Sequence, residues 1–397
     1  MKKLVLAYSG GLDTSYCVKF LSAIEHYEVH AVLINTGGYS SEDIITVENR
    51  AFQLGAKSFK CIEATEIFYT QIIKYLIFGN VLKNDCYPLS VSAERIVQAI
   101  EIVQYAKRMD AGYIAHGSTG AGNDQVRFDM TFQIVAPEIK IITPIREKGL
   151  SRQDSIAFLK EHGVNLTWEK AKYSINKGIW GTSVGGEETL TSDLGLPSDA
   201  FPSQLEKNGS INVKLSFKKG ELIALDDCVN DPVSNIQVLN KLASQYAIGR
   251  DIHVGDTIIG IKGRVAFEAG GPLVILKAHH QLEKHVLSKW QLHWKKQLGD
   301  WYGMLLHDGH YYDPVMKNIE AFLTDSQENV SGDVFVTLHA YRFEIIGISS
   351  ENDLMQSNFG SYGEVNKGWT SDEAKGFIKL LSNQSKIYQQ VNGSEDV

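Results

Sequence analysis

The chain reads as an α/β protein: a parallel-sheet nucleotide-binding domain, then an α+β domain, then a C-terminal helix. Three observations predict this. Short apolar runs alternate with helical periodicity through the first 165 residues, the pattern of buried parallel strands joined by crossover helices. Beyond residue 165 that rhythm gives way to short alternating strands among many Gly, Ser, Asn and Asp residues. An amphipathic helix pattern at 371–390 follows the last strand pattern. A chain of 397 residues exceeds one compact core. The expected division is 1–165, 166–368 and 369–397.

In the first part, strands are expected at 4–8, 29–35, 57–63, 113–116 and 139–143. Helices are expected at 14–23, 42–54, 65–75, 93–109 and 151–162, the second ending at Gly55 and the last opened by a Ser cap. In the second part, strands are expected at 211–217, 257–261, 273–277, 333–339 and 341–349. Helices are expected at 233–248 and 278–298. The helix at 371–390 carries an apolar face suited to another subunit or to its own domain, and 392–397 reads as a frayed end.

Composition is that of a soluble globular protein, and a net charge of −8 argues against a general nucleic-acid binder. No apolar run approaches a membrane span, and no signal or transit segment is expected. Cys17, Cys61, Cys86 and Cys228 are scattered, which reads as reduced thiols in a cytoplasmic protein without a zinc site. His279, His280 and His285 lack ligand spacing and are expected at a surface or interface.

The most informative run is Ser9-Gly10-Gly11-Leu12-Asp13-Thr14-Ser15, directly after the first strand. Adjacent glycines let backbone approach a ligand, and Asp13, Thr14 and Ser15 suit a helix start. Strand, tight loop and helix N-terminus together converge free N–H groups and the positive end of the helix dipole on one point. That is a phosphate or pyrophosphate site. It is neither a Walker A loop nor a three-glycine Rossmann loop, because the required residues are missing. The run resembles the pyrophosphate loop of the N-type ATP pyrophosphatases, enzymes that split ATP between the α and β phosphates and adenylate a substrate.

A second constellation follows the 113–116 strand: His116-Gly117-Ser118-Thr119-Gly120-Ala121-Gly122-Asn123-Asp124-Gln125-Val126-Arg127-Phe128. Its glycines bring backbone close to a ligand. Arg127 suits bidentate pairing with a carboxylate and Asp124 suits an ammonium, so the run fits a zwitterionic amino acid beside a nucleotide. A turn with a surface Arg–Asp pair is the plainer reading. Two loops at the carboxyl ends of strands of one sheet favour the site.

Both loops, with Tyr173-Ser174 and the collinear spacing, resemble the argininosuccinate synthase family over nearly the whole chain. The resemblance implies an adenine nucleotide α-hydrolase-like domain followed by a synthetase domain. It implies ATP-dependent condensation of citrulline with aspartate through a citrullyl-adenylate, with Mg²⁺ accompanying ATP. It also implies a homotetramer whose C-terminal helices cross between subunits, with no nucleic-acid or membrane partner. Carried over by position, Ala7, Tyr8, Ser9, Gly10, Gly11, Leu12, Asp13, Thr14, Ser15 and Gly117 bind ATP. Thr119, Asn123 and Asp124 bind aspartate, and Tyr87, Ser92, Asn123, Arg127, Ser174 and Ser183 bind citrulline. No residue is implied as a protein nucleophile or a resident metal ligand.

Four positions depart from the family pattern. Ile34, near the expected adenine, and Ala121 stand where Ala and Lys are usual. The Glu and Tyr that bind citrulline in the family fall on Gly255 and Phe267. Either Asp256 or Glu268 takes over the ammonium contact, or the substrate is an N-acyl-citrulline with no charge there. Free citrulline is the expected substrate.

Overall fold

The sheet that carries both loops is five-stranded and ordered β3-β2-β1-β4-β5. In the computed structural model, which describes residues 2–164, 173–357, 359–360, 362–364 and 368–393, these strands are β1 Lys3–Ala7, β2 Glu28–Asn35, β3 Ser58–Glu63, β4 Tyr113–Ala115 and β5 Lys140–Ile142. Every pairing is parallel. The two-residue alternation of a strand explains why these runs are continuously apolar. Val5, Val32 and Ile34 face one core, with the helix Ser90–Arg108, while Leu4, Leu6, Ala31 and Leu33 face another, with the helices Leu12–Ala23 and Ser41–Gln53. Each of the Val, Leu and Ile side chains among them, taken fully from water, contributes about 1.5–3 kcal/mol. Capping boxes at Ser40–Asp43 and Ser151–Asp154 start the helices Ser41–Gln53 and Arg152–Glu161.

The strand order places β1 and β4 side by side, with β2 and β3 on one flank and β5 on the other. Between β1 and β4 the chain reverses its direction of travel across the sheet, which opens a crevice at the strands' carboxyl ends. The loops after β1 and β4 meet there: a Cβ at Gly117 would stand 3.2 Å from the Asp13 carbonyl carbon and the Thr14 nitrogen. A side chain there would press on that backbone, so glycine suits this close approach.

The remaining strands are β6 Ser174–Gly178, β7 Gly181–Gly185, β8 Ile211–Lys218, β9 Glu221–Leu225, β10 Cys228–Val229, β11 Arg250–Asp256, β12 Lys262–Glu268, β13 Gly332–His339 and β14 Arg342–Ser349. They form two antiparallel sheets, β10-β9-β8-β13-β14 and β11-β12-β7-β6. Met1–Glu351 is one compact unit, and Asn352–Val397 is a second. The second contains the helices Ser371–Leu381 and Asn383–Asn392, whose Phe377, Ile378, Leu380, Leu381, Ile387, Tyr388 and Val391 are exposed. The 165/166 boundary and part of the expected frayed end lie outside the described residues.

Several expected elements differ. Residues 257–261 are the turn between β11 and β12, closed by Thr257 N–H to the Ile261 carbonyl at 2.8 Å. Residues 273–277 are instead helical, inside Gly270–Val286: Val274, Ile275 and Leu276 are buried while Lys277, His280 and Lys284 are exposed, a helical stripe that the short run 273–277 by itself does not reveal. The expected 278–298 helix is broken at Ser288, which caps a new helix, Lys289–His307, in a box with Gln291. The terminal helix pattern is likewise two helices, Ser371–Leu381 and Asn383–Asn392. The helix Pro314–Ser326, capped by Asp313, was not expected. His279 is fully buried, not at a surface: its ring nitrogens face Asn80 Oδ1 at 2.7 Å and Gln327 Oε1 at 2.9 Å.

Candidate active site

A cleft of about 1230 Å³ opens at the β1/β4 crevice. Ala7, Tyr8, Ser9, Gly11, Leu12, Asp13, Thr14 and Gly117 line it, with Thr119, Asn123 and Asp124. So do Tyr87, Ser92, Arg127, Ser174 and Ser183. These positions come from β1, three helix starts, β6 and β7, so only the fold assembles them. Two expected ATP positions do not line it. Ser15 is fully buried inside the helix Leu12–Ala23, and its N–H donates to the Gly11 carbonyl at 2.9 Å. Gly10 points toward Val47, whose Cγ2 would lie 2.8 Å from a Cβ there.

The loop after β1 is held from below. Gly10 takes φ +75°, its carbonyl accepts from Arg50, and the Tyr39 hydroxyl donates to the Ser9 carbonyl at 3.2 Å. Gly11 is the N-cap, at φ −72°, and has no side chain to cap the helix. The first-turn N–H groups of Leu12, Asp13 and Thr14 therefore have neither an intrahelical acceptor nor a side-chain cap, which is the anion-binding arrangement. Burial raises the Asp13 carboxyl above its ordinary value, opposed by Arg152. Burial pushes the Tyr8 phenol up to about 12. Ile34 lines the same cleft.

The second loop is pinned at both ends. His116 Nδ1 accepts from the Ser118 N–H at 3.2 Å, so its proton sits on Nε2 and is donated to Asp129 Oδ1 at 2.7 Å. Asp129 also takes Arg146 at 2.7 Å. Gln125 Nε2 donates to the Gly120 and Gly122 carbonyls at 2.7 and 3.1 Å. Asn123 Oδ1 accepts from the Ile258 N–H at 2.9 Å, which ties the β11/β12 turn to this loop and leaves the Asn123 amide nitrogen for a ligand.

Asp124 sits between two guanidiniums, with Arg95 Nε on Oδ2 and Arg127 Nη1 on Oδ1, each at 3.0 Å. Burial would raise its carboxyl, but Arg95 and Arg127 hold it below the ordinary range. Its side chain is still 40% exposed, so a ligand cation can reach it. Arg127 is not free for bidentate pairing, contrary to the expectation. Its Nε donates to the His307 carbonyl at 2.9 Å and its Nη1 to Asp124, and only Nη2 is buried without a partner among the described residues. Nη2 is the donor group of Arg127 that no described residue engages.

Arg95 and Glu94 were not read from the sequence. Arg95 lies one turn after Ser92 on the helix Ser90–Arg108, so the i,i+3 spacing was the available signal. Glu94 accepts from Arg95 Nη1 and from the Thr36 hydroxyl, both at 2.7 Å, and burial pushes its carboxyl up to about 7. Gly178 makes room for it, since a Cβ there would meet Glu94 Oε2.

At the β11/β12 hairpin the two candidate replacement anions separate. Glu268 is engaged by Arg250 Nε at 3.0 Å and by Ser203, and it does not line the main cleft. Asp256 does line it, 68% exposed and 2.7 Å from Lys262 Nζ. Phe267 is fully buried against Tyr87 at 5.3 Å.

Residues 3–165 match the family model described as the arginosuccinate synthase N-terminal HUP domain, and 173–388 match the arginosuccinate synthase C-terminal domain. The chain is 34% identical over 392 residues to a protein named argininosuccinate synthase from Sulfurisphaera tokodaii, covering 98% of this chain and 99% of the relative. A protein of the same name from Methanocaldococcus jannaschii is 35% identical over 388 residues, 97% of each. One from Xanthomonas campestris pv. campestris is 34% identical over 403 aligned residues, 98% of this chain and 99% of the relative.

Proposed function

The chain belongs to the argininosuccinate synthase family, and on that premise we propose how its cleft joins L-citrulline to L-aspartate, converting ATP to AMP and pyrophosphate. One observation carries the reading. A single cleft presents both an uncapped helix N-terminus at Gly11–Thr14 and the Asp124–Arg127 pair with its unpaired Nη2 donor. The first suits a polyphosphate and the second a zwitterion.

In this reading ATP lies on Ala7, Tyr8, Ser9, Gly11, Leu12, Asp13, Thr14 and Gly117. Gly10 and Ser15 serve from behind, one through its backbone conformation and the other inside the helix. Tyr87, Ser92, Arg127, Ser174 and Ser183 hold citrulline, Thr119 and Asp124 hold aspartate, and Asn123 touches both. The ureido oxygen of citrulline attacks the α phosphorus and pyrophosphate departs. The aspartate amine, after losing a proton, attacks the ureido carbon of the citrullyl-adenylate and AMP departs. A ureido oxygen is a weak nucleophile, so the protein contributes mainly by holding it in line and by meeting developing phosphate charge with the loop N–H groups.

Mg²⁺ neutralises phosphate charge when it accompanies ATP. Among the described residues no group of three or more His, Cys, Asp or Glu forms a metal cage. Asp13 fits a cation carried by the nucleotide, because its half-buried carboxylate, raised by burial, gains from a positive neighbour.

The four thiols, all free, favour a reducing compartment, the cytoplasm. No described helix is long and apolar enough to cross a membrane. The exposed apolar residues of Ser371–Leu381 and Asn383–Asn392 support a homotetramer in which these helices pack on other subunits. The division into domains at 1–165, 166–368 and 369–397 is retained in this reading.

Pyrophosphate release with ATP and aspartate, measured with citrulline, N-acetylcitrulline and N-succinylcitrulline side by side, tests the function. Release that requires both ATP and aspartate and is fastest with citrulline is expected. No release with any of the three sinks the reading, and turnover at least tenfold better with an acylated form, about 1.4 kcal/mol in the transition state, replaces the substrate.

A further inference from the structure

We propose that His253 is a specificity-determining residue: its Nε2 accepts a hydrogen bond from the α-amino group of citrulline, at the place that Gly255 leaves without a side chain. The inference rests on the reading that citrulline lies against Tyr87.

His253 and Gly255 lie two apart on β11 and so share a face. The imidazole leans over the glycine, and a Cβ at 255 would stand 2.6 Å from Nε2. The ring therefore fills the volume that a side chain at 255 would need. It also stacks on Tyr87, 5.1 Å between centroids at 24°. His253 lines the cleft yet is only 5% exposed.

The two ring nitrogens differ. Nδ1 lies 3.9 Å from Cys86 Sγ. Nε2 has no hydrogen-bond partner among the described residues. In the tautomer that carries its proton on Nδ1, facing the sulfur, Nε2 presents a lone pair, and an ammonium, which can only donate, selects that tautomer. Burial, with His307 and Lys83 nearby, lowers the His253 pKa to about 4, so the ring is neutral near pH 7. Nε2 is not among the enclosed polar atoms that lack a partner, so it is open to a ligand N–H in the cleft.

The neighbouring anions do not compete for this role. Glu268 is taken by Arg250 and Ser203, and Asp256 lies at the exposed rim on Lys262. Because the imidazole fills the space over Gly255, an acyl group on the α-nitrogen would collide with it. The site therefore selects a free amino acid by an acceptor and by a steric wall at once.

The test compares citrulline with 5-ureidopentanoate, which lacks the α-amino group, in wild type and His253→Phe. Phe keeps the ring against Tyr87 and removes the acceptor. The expected result is a fall of at least tenfold in kcat/KM for citrulline and less than threefold for 5-ureidopentanoate, with KM for ATP and aspartate within twofold. A parallel fall for both substrates indicates a merely structural role and overturns the proposal, as does an unchanged citrulline value. Two further variants keep the test open should Phe fail to fold. Gly255→Glu alone is expected to lose citrulline use, since its side chain meets the imidazole. Gly255→Glu together with His253→Ala is expected to recover citrulline selectivity over 5-ureidopentanoate at least fivefold relative to His253→Ala, and equal selectivity in those two overturns the proposal. A wild-type enzyme inactive on citrulline would instead refute the functional reading itself.

Discussion

Arg127 and Asp124 lie one helical turn apart, and the guanidinium donates from Nη1 to the Asp124 Oδ1 at 3.0 Å. The Arg127 Nε is fixed by the His307 carbonyl, which leaves Nη2 as its remaining donor. Asp124 thus orients Arg127 while offering its own exposed edge to a cation. Asp124→Asn keeps the shape and removes the charge. The expected outcome is a rise of at least tenfold in KM for aspartate with ATP affinity unchanged. Calorimetric titration of ATP and of aspartate against the variant decides, and unaltered aspartate affinity removes Asp124 from the aspartate site.

The two loop glycines do different work, so their substitutions should separate. Gly10→Ala places a Cβ at φ +75° and 2.8 Å from Val47 Cγ2, a strain costing about 1 kcal/mol or more. The melting temperature should fall. Gly11→Val meets no backbone penalty at φ −72°, but its side chain enters the cleft beside Ser9. The fold should persist while ATP no longer raises the melting temperature. Equal ATP stabilisation of Gly11→Val and wild type would contradict the loop's role.

Glu94 makes stability depend on pH. Burial raises its folded pKa to about 7 from an ordinary 4.5. A raised folded pKa gives a contribution fully present below the unfolded value and lost as pH rises through the folded one. Between pH 4.5 and 7 the folded state holds the proton that the unfolded state has released. Glu94→Gln removes this loss and retains groups able to meet Arg95 and Thr36. The unfolding free energy of the variant relative to wild type should therefore grow over that window, by on the order of 1 kcal/mol per pH unit at most, and level off above pH 7. Urea titrations at several pH values measure it. A difference independent of pH would mean that Glu94 is ionised throughout.

The helices Ser371–Leu381 and Asn383–Asn392 expose Phe377, Ile378, Leu380, Leu381 and Tyr388, apolar groups that need a partner surface. Removing residues 371–397 should lower the mass seen by light scattering to less than that of a tetramer. An unchanged mass would place the subunit contacts elsewhere.

The sequence by itself determined the first sheet and the two glycine-rich loops at its strand ends. Their signals are local: apolar runs of strand length, glycine pairs and capping residues act within a few positions, so the strand at Leu4 and Leu6 and the turn at Ser9–Thr14 are legible without a partner. It also determined family membership, through a loop from His116 to Phe128 dense in specific chemistry. Only the tertiary structure decided the rest. The run expected as a strand at 273–277 is too short to tell strand from helix, and the fold makes it helical, with Lys277, His280 and Lys284 on the exposed side. Gly10 and Gly11 look alike in the sequence, and Val47 distinguishes them from across the fold. Asp256 and Glu268 are equally plausible anions along the chain, until Arg250 and Ser203 occupy one of them. His253 carries no motif. Its proposed role depends on Tyr87 from a distant segment and on the empty position at Gly255, and such through-space relations leave no trace in local spacing.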